Sequence, residues 1–404
     1  MKKKYLKNIY RYGVLFFSLI AMYTSLMTLV YTIPNDAVSK QVEEGQALIQ
    51  TEGKRPILPF GGTRAAQLDN FTDNVMFQGV IKNEQENPLE SGMNVRSYAR
   101  YWHGYQVFLR PLLTIMSYTS IRYVNIFVIL ILLCLVFSDI KKRLSTAFST
   151  AFLISQAMIY VIIIPMSLQF TTSFVVMSIA MLAIGYLYEK RQMKYLGYLF
   201  FIIGSLINFV DFLTYPLVTL GIPLIYTLLL VSKDEKLTFK SNFFLLVKNS
   251  VLWCLGYGIT WVTKWLLSSW ILKINVLKQA AQQASLRTAG NAEYQTSPIG
   301  AITANLDVMF PPQAIKIALI LFILWIVLFL FFRKPMNVIY KMTPLLVVSF
   351  FPFVWLVVLA NHSEMHFWFT YRILAITVFG ILSFMIYSID NSKIKQLLNK
   401  RIAD

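Results

Sequence analysis

Residues 68–122 read LDNFTDNVMFQGVIKNEQENPLESGMNVRSYARYWHGYQVFLRPLLTIMSYTSIR, and the reading of the whole chain turns on them. Acids, arginines, a histidine and aromatics crowd together here, whereas on either side the chain is made of apolar runs broken by short basic turns. Asp69 and Asp73 are four residues apart, which on a helix puts both carboxylates on one face. Further on, Arg96, Arg100, His103 and Arg110 recur at near-helical spacing, with Tyr98, Tyr101, Trp102, Tyr105 and Leu109 on the other side. That pattern predicts an amphipathic helix lying in a membrane interface, aromatics down and cations up, ended or bent at Pro111. Upstream, residues 34–60 are polar, carry Pro34, Pro56 and Pro59, and read as irregular.

Working outward, hydrophobic residues make up 57% of the chain and charged ones only 14%, which places it among membrane proteins. Stretches of about 17–25 apolar residues can cross the hydrocarbon core, and ten are present: 12–33, 122–138, 145–165, 169–188, 195–211, 213–231, 250–272, 313–332, 343–360 and 369–388. Pro165, Pro216 and Pro223 mark kinks or breaks, which a span tolerates when neighbours satisfy the freed carbonyl. The start, MKKKYLKNIYR followed by an apolar run from Val14 to Ile33, is signal-like. That run is long enough to span and no A-x-A follows, so an uncleaved first span is expected.

Charge sets the orientation. Segments 1–11, 139–143, 189–194, 232–248, 333–341 and 389–404 hold 22 Lys and Arg against 6 Asp and Glu. They account for +16 of the formal +18. A Lys/Arg excess marks the cytoplasmic side, so both termini are expected inside, and the overall charge calls for no nucleic-acid partner. The outer face then owns the first extracytoplasmic loop (34–121), the turns near 166–168 and 211–213, a second loop (273–312) and the turn 361–368. Cys134 and Cys254 lie in apolar runs and make neither a disulfide framework nor a zinc spacing. The expected fold is all-α: one polytopic domain over 1–404 with about ten transmembrane helices, N-in and C-in.

Candidate chemistry gathers at the outer ends of the spans. Asp211 sits in NFVDFLTYP, Lys264 lies inside a span in GYGITWVTKWLLSSW, and NHSEMHFWFTYR brings His362, Glu364, His366 and Arg372 to the last outer turn. All three histidines fall on this side. A lysine at a helix centre costs about 2.5–3.5 kcal/mol to insert. Lys264 therefore either snorkels between Trp261 and Trp265 or faces a cavity and meets an anion, Asp211 or a lipid phosphate. Asp69 and Asp73 are either parts of a solvated loop or a general base with its positioning partner, a divalent ion being an option. The arginines suit anionic headgroups or a specific phosphate. His362 and His366 are four apart, but no HExxH is present, and no metal site is assigned. GxGxxG after a strand, GxxxxGK[ST] and GxSxG are all absent, so the energy for any transfer is expected to arrive in an activated, lipid-linked substrate.

The layout of an inside amino terminus, one span, a long acidic outer loop and then many spans resembles the GT-C class of integral-membrane glycosyltransferases. The segment YWHGYQVFLRPLLTIMSYTSIRYVN is similar to the juxtamembrane part of that family that leads through an Arg into the second span. The resemblance covers about 1–232 as architecture. It implies a polyprenyl-phosphate sugar donor, an acidic base in the first outer loop (Asp69 or Asp73), and phosphate ligands drawn from Arg100, His103, Arg110, Lys264 and Arg372. The acceptor would be a cell-envelope glycan or polymer at the outer face of a bacterial cell membrane. A tight Asp-Asp or Asp-Glu pair is lacking, and about 35 residues separate the first span from the acids. Flippase, polysaccharide polymerase or ligase, and inert scaffold are the competing readings. The crowding of ionisable groups at one rim, instead of through the bilayer depth, favours an enzyme over a carrier.

Overall fold

The computed structural model describes residues 2–59, 63–233, 238–290, 297–394 and 396. Among them the protein is all-α, with only two isolated bridges, Ile57–Gln67 and Arg333–Ile389. The chain opens with α1 (Lys2–Val30), and the first loop carries α2 (Ser39–Glu52), α3 (Asn70–Gln78), α4 (Pro88–Met93) and α5 (Gln106–Leu113). The bundle continues with α6 (Tyr118–Arg143), α7 (Thr146–Met158), α8 (Leu168–Glu189), α9 (Leu196–Val210), α10 (Val218–Val231) and α11 (Phe239–Leu272). After the helices of the second loop, α12 (Val276–Ala289) and α13 (Pro298–Met309), come α14 (Pro312–Phe332), α15 (Met336–Tyr340), α16 (Pro344–Ser349) and α17 (Phe351–Val358). The chain closes with α18 (Ala360–Met365), α19 (Phe367–Thr370) and α20 (Ala375–Ser388).

Seven helical segments are long and apolar enough to cross a membrane: Lys7–Val30, Tyr118–Arg143, Leu168–Glu189, Met193–Val210, Phe239–Leu272, Pro312–Phe332 and Phe367–Ser388. The other three apolar stretches of the sequence are shorter or broken. In 145–165, α7 stops at Met158, Tyr160 turns left-handed (φ 53°), and Val161–Met166 continues as a 3-10 segment. Pro165 there disfavours the α conformation at Ile164. In 213–231, Leu213 is left-handed (φ 61°) and the helix begins only at Val218, after Pro216, while Pro223 is absorbed inside it. In 343–360 the helix divides at Phe350, where Pro352 starts a new one. Non-helical backbone in a membrane protein is tolerated only where protein satisfies it, and here the Ile159 carbonyl accepts from the Tyr371 hydroxyl and the Leu213 carbonyl from His362, each at 3.1 Å.

The opposite, basic end is tied together by side chains of the short turns. Arg143 bridges Asp139 and Glu189, each at 2.7 Å, and the Tyr226 hydroxyl donates to Asp139 at 2.6 Å. Midway, α9 and α11 run the same way in close contact over small residues. A Cβ on Gly204 would sit 2.1 Å from the Trp253 carbonyl oxygen, and one on Gly256 2.1 Å from that of Phe201. Gly204→Ala therefore has to force two backbones apart, at an expected cost of about 1–3 kcal/mol or more. Thermal unfolding in detergent, compared with Gly258→Ala where the added Cβ meets open space, checks this.

Two expectations for the first loop are corrected. Residues 39–52, read as irregular, form α2, whose Val42, Gly45 and Ile49 are buried at helical spacing. A stripe of small and apolar residues hid among polar ones. Residues 96–110 are not one interfacial helix: 95–97 is a 3-10 turn, Arg96, Ser97 and His103 have positive φ, and only 106–113 is α-helical. Nor does Pro111 end that helix; it lies inside α5, which runs on to Leu113. The aromatics do not float in an interface because they are claimed by the bundle. Trp102 is fully buried and donates to the Thr260 carbonyl at 3.0 Å, and Gly104 N–H donates to the Phe209 carbonyl at 2.8 Å. Only glycine fits at 104, where a Cβ would lie 2.5 Å from that same oxygen.

Candidate functional site

Several of the candidate residues are pins between elements. Asp73, fully buried on α3, accepts from the Tyr118 hydroxyl (2.6 Å), the Ser167 hydroxyl (2.9 Å) and the backbone N–H groups of Leu168 (3.0 Å) and Gln169 (3.1 Å). It thus caps α8 from another segment, where a helix leaves N–H groups without partners. Burial pushes its carboxyl up to about 6, and these four bonds pull the other way. Asp211, at the end of α9, accepts from Ser173 (2.9 Å) and from Thr214 N–H (2.8 Å), holding the turn before α10. Burial likewise raises it to about 6.

Arg122 is a buried cation paired with Glu52, with Nη2 2.9 Å from Oε2, but Lys264, Arg372 and Arg110 are buried without a carboxylate partner among the described residues. Lys264 neither snorkels nor meets Asp211; its ammonium donates to the Met93 carbonyl at 2.9 Å and lies 5.3 Å from the Trp102 ring centre. Arg372 donates to the carbonyls of Trp368 (2.9 Å) and Ala65 (3.4 Å), with its guanidinium 4.2 Å over Phe170. Arg110 donates to Ile33 (2.6 Å) and Asn35 (3.2 Å) beneath Tyr31. Arg100 stacks on Tyr98 at 4.1 Å.

Two of the three histidines are hydrogen-bonded through both ring nitrogens, whereas His366 leaves its buried Nδ1 without a partner among the described residues. His103 Nε2 faces the Tyr98 carbonyl at 3.0 Å, so that nitrogen carries the proton, and Nδ1 accepts from the Tyr105 hydroxyl at 2.9 Å. His362 has the same tautomer: Nε2–H donates to the Leu213 carbonyl (3.1 Å) and Nδ1 accepts from Arg287 (2.8 Å). Burial is the main reason that His103 falls to about 3 and His366 to about 4, with nearby Lys and Arg charges adding to it. Burial and Arg287 hold His362 well below its usual value. None of them supplies a positive charge near neutral pH.

A second set gathers around the rings of Phe367 and Trp368. Asp69 is the N-cap of α3, accepting from Thr72 N–H (3.1 Å) and the Thr72 hydroxyl (2.9 Å). Burial lifts its carboxyl, while Thr72 and the charge of Arg55 draw it back. Arg55 lies 4.3 Å over Trp368, and Arg64 5.0 Å over the adjacent Phe367. The isolated bridge between Ile57 and Gln67 joins the segments that carry these two exposed arginines, which rest on neighbouring rings. His366 joins the set, 5.3 Å from the Trp368 ring and 4.9 Å from His362. Glu364 instead accepts from Ser297 N–H at 3.1 Å, at the start of α13.

Arg64, Thr63, Phe367, Tyr160 and Asp307 line a cavity of about 570 Å³ that opens beside α13. Met158 and Ala314 also line a neighbouring apolar crevice of about 530 Å³ between α14 on one side and α7 and α20 on the other. The crevice exists because α14 buries none of its residues. It is fastened at the basic end, where Trp325 donates to Ser388 at 3.0 Å and Asp390 N–H to the Phe332 carbonyl at 2.7 Å. In comparisons with protein-family models, curated proteins and solved structures, nothing matches the chain. The chemistry therefore has to be read from this geometry.

Sequence reasoning passed over Arg55, Arg64, Arg287 and Asp307. For Asp307 a signal was present, since it is the sole acid in SPIGAITANLDVMFPP (297–312). Asp307 is exposed and makes no hydrogen bond or ion pair among the described residues. For the two arginines no spacing rule applies, because each rests on a ring about 300 residues further along the chain, Trp368 or Phe367. No cluster of three or more His, Cys, Asp or Glu that could hold a metal ion occurs among the described residues.

Proposed function

We propose that this chain is a GT-C-like membrane glycosyltransferase, with about ten spans and both termini inside. It moves a sugar from a polyprenyl-phosphate donor to a cell-envelope glycan or polymer on the outer face. The observation that carries the reading is the apolar crevice along α14, which neighbours a cavity with Arg64 and Asp307 at its rim. A lipid tail suits the crevice, which faces hydrocarbon and is lined by side chains such as Ile154, Phe322 and Ile381. The donor phosphate suits Arg64 and Arg55, whose faces rest on Phe367 and Trp368 while their N–H edges remain for an anion.

In this reading Asp307 takes the proton of an acceptor hydroxyl as its oxygen attacks the anomeric carbon. The bond from that carbon to the phosphate oxygen breaks, and the negative charge gathering on the polyprenyl phosphate is met by the two arginines. Asp307 is preferred to Asp69 and Asp73 because it lines the cavity, whereas Asp73 has its oxygens committed to four donors.

The test is the purified protein in liposomes with a radiolabelled polyprenyl-phosphate hexose and an envelope-glycan acceptor. New glycosidic bond formation is expected. The double variant Arg55→Ala, Arg64→Ala should raise the KM for donor by about tenfold to a hundredfold, the worth of one or two lost charge-assisted hydrogen bonds, with the acceptor KM unchanged. Movement of labelled lipid across the bilayer without a new bond would make the protein a carrier instead.

A further inference from the structure

At the basic end of the bundle, the last turns of α6 and α8 and the residues after α10 enclose a cavity of about 520 Å³ lined by Lys142, Arg143, Tyr188, Glu189, Arg191 and Lys233. We infer that it holds the phosphate headgroup of an anionic phospholipid from the leaflet at that end. The site shares no residue with the sugar-transfer cavity or the crevice beside it.

Three of the cations are placed here by their contacts. Lys142 Nζ lies 4.0 Å from the Glu189 carboxylate and Arg143 Nη2 2.7 Å from it, while the Lys233 ammonium donates to the Arg143 carbonyl. Arg191, exposed on the same lining, makes no side-chain hydrogen bond or ion pair among the described residues. Against these four positive charges stand two negative ones, Glu189 on the wall and Asp139 behind it on Arg143 Nε at 2.7 Å. The surplus is two. Lysine and arginine only donate, so a group that accepts and carries negative charge completes them, as a phosphodiester does. Basic pockets between spanning helices at the membrane boundary suit headgroups of this kind.

The helix faces above the cavity explain why the phosphate arrives on a lipid. On α6 the exposed residues Ile131, Leu135, Ser138 and Lys142 recur at helical spacing, and on α8 Ile179, Tyr186 and Lys190 do the same. Both helices are long and apolar enough to span, so their exposed faces meet hydrocarbon. Each stripe is mostly apolar along the span and ends in a cation. The Lys190 ammonium folds back to 5.8 Å from the Tyr186 ring centre, and the Lys142–Glu189 contact joins the feet of the two stripes. Gly185 lets the helices close here, since a Cβ on it would sit 2.2 Å from Asp139 Oδ2. An acyl chain lying on these faces brings its phosphate to the cavity, whereas a free anion has nothing to hold it there but charge.

The experiment is native mass spectrometry of the full chain in detergent, stripped of lipid and titrated with dioleoyl phosphatidylglycerol, dioleoyl phosphatidylcholine or inorganic phosphate. Phosphatidylglycerol is expected to bind at least tenfold more tightly than phosphatidylcholine and to resist displacement by equimolar phosphate. The double variant Lys142→Gln, Arg191→Gln should weaken phosphatidylglycerol about thirtyfold, about fivefold for each charge, and leave phosphatidylcholine and the melting temperature unchanged. The double variant Lys7→Gln, Lys240→Gln removes the same charge from exposed residues of the same end outside the cavity, and should bind as wild type does. Equal binding of the two lipids, unchanged binding in the first variant, an equal loss in both variants, or displacement by equimolar phosphate would each overturn the assignment.

Discussion

Changing Asp307 to Asn is expected to lower sugar transfer by about 10²- to 10⁴-fold, the usual contribution of a positioned general base, while leaving stability within about 0.5 kcal/mol of wild type. The second half follows from its setting. Asp307 is exposed, lines the cavity and holds no other residue in place among those described. The amide keeps the size of the side chain and removes only its ability to accept a proton. Initial rates in liposomes and a melting curve on the same preparation check both halves. A variant that transfers sugar at the wild-type rate would remove Asp307 as the base.

Asp73 should behave in the opposite way. Asp73→Ala strands two hydroxyls and two helix-terminal N–H groups that now converge on one carboxylate. A loss of about 3–5 kcal/mol is expected, as for other buried charged groups whose partners are left behind. Asp73→Asn keeps the shape but turns an N–H₂ toward donors, so it should recover little of the loss. Both are read by thermal unfolding in nanodiscs and by proteolysis of the first loop, which is freed when α3 detaches from α8. Normal melting in Asp73→Asn together with abolished transfer would show that the residue serves chemistry and not the joint.

These contrasting expectations for two acids mark how far the sequence carries. The spacing of Asp69 and Asp73 suggested one shared task, yet Asp69 caps its own helix and Asp73 caps a different one, 95 residues later. Spacing reports which face of an element a side chain occupies; it says nothing about which distant N–H groups that face meets. The same limit explains the stretch 96–110. Its period of cations and aromatics was helical, but burial of Trp102 between α1, α9 and α11, with Tyr23 and Phe209 rings 5.9 and 5.8 Å away, outweighed local propensity. The α2 helix was missed because its stripe of Val42, Gly45 and Ile49 was too narrow to stand out beside three prolines.

What the sequence determined by itself is the solvent. Apolar runs of spanning length and the pooling of lysine and arginine in alternate turns are properties of composition and order, and they dictate an all-helical polytopic chain because hydrocarbon leaves the backbone no other way to bond. Only the tertiary structure decided where the helices break, which charged groups are joints, and which face a cavity. Those outcomes depend on contacts between residues far apart in the chain. Arg64 with Phe367, Tyr371 with the Ala65 carbonyl and Asp73 with Leu168 are such contacts, and their worth lies in burial and geometry that no local pattern encodes.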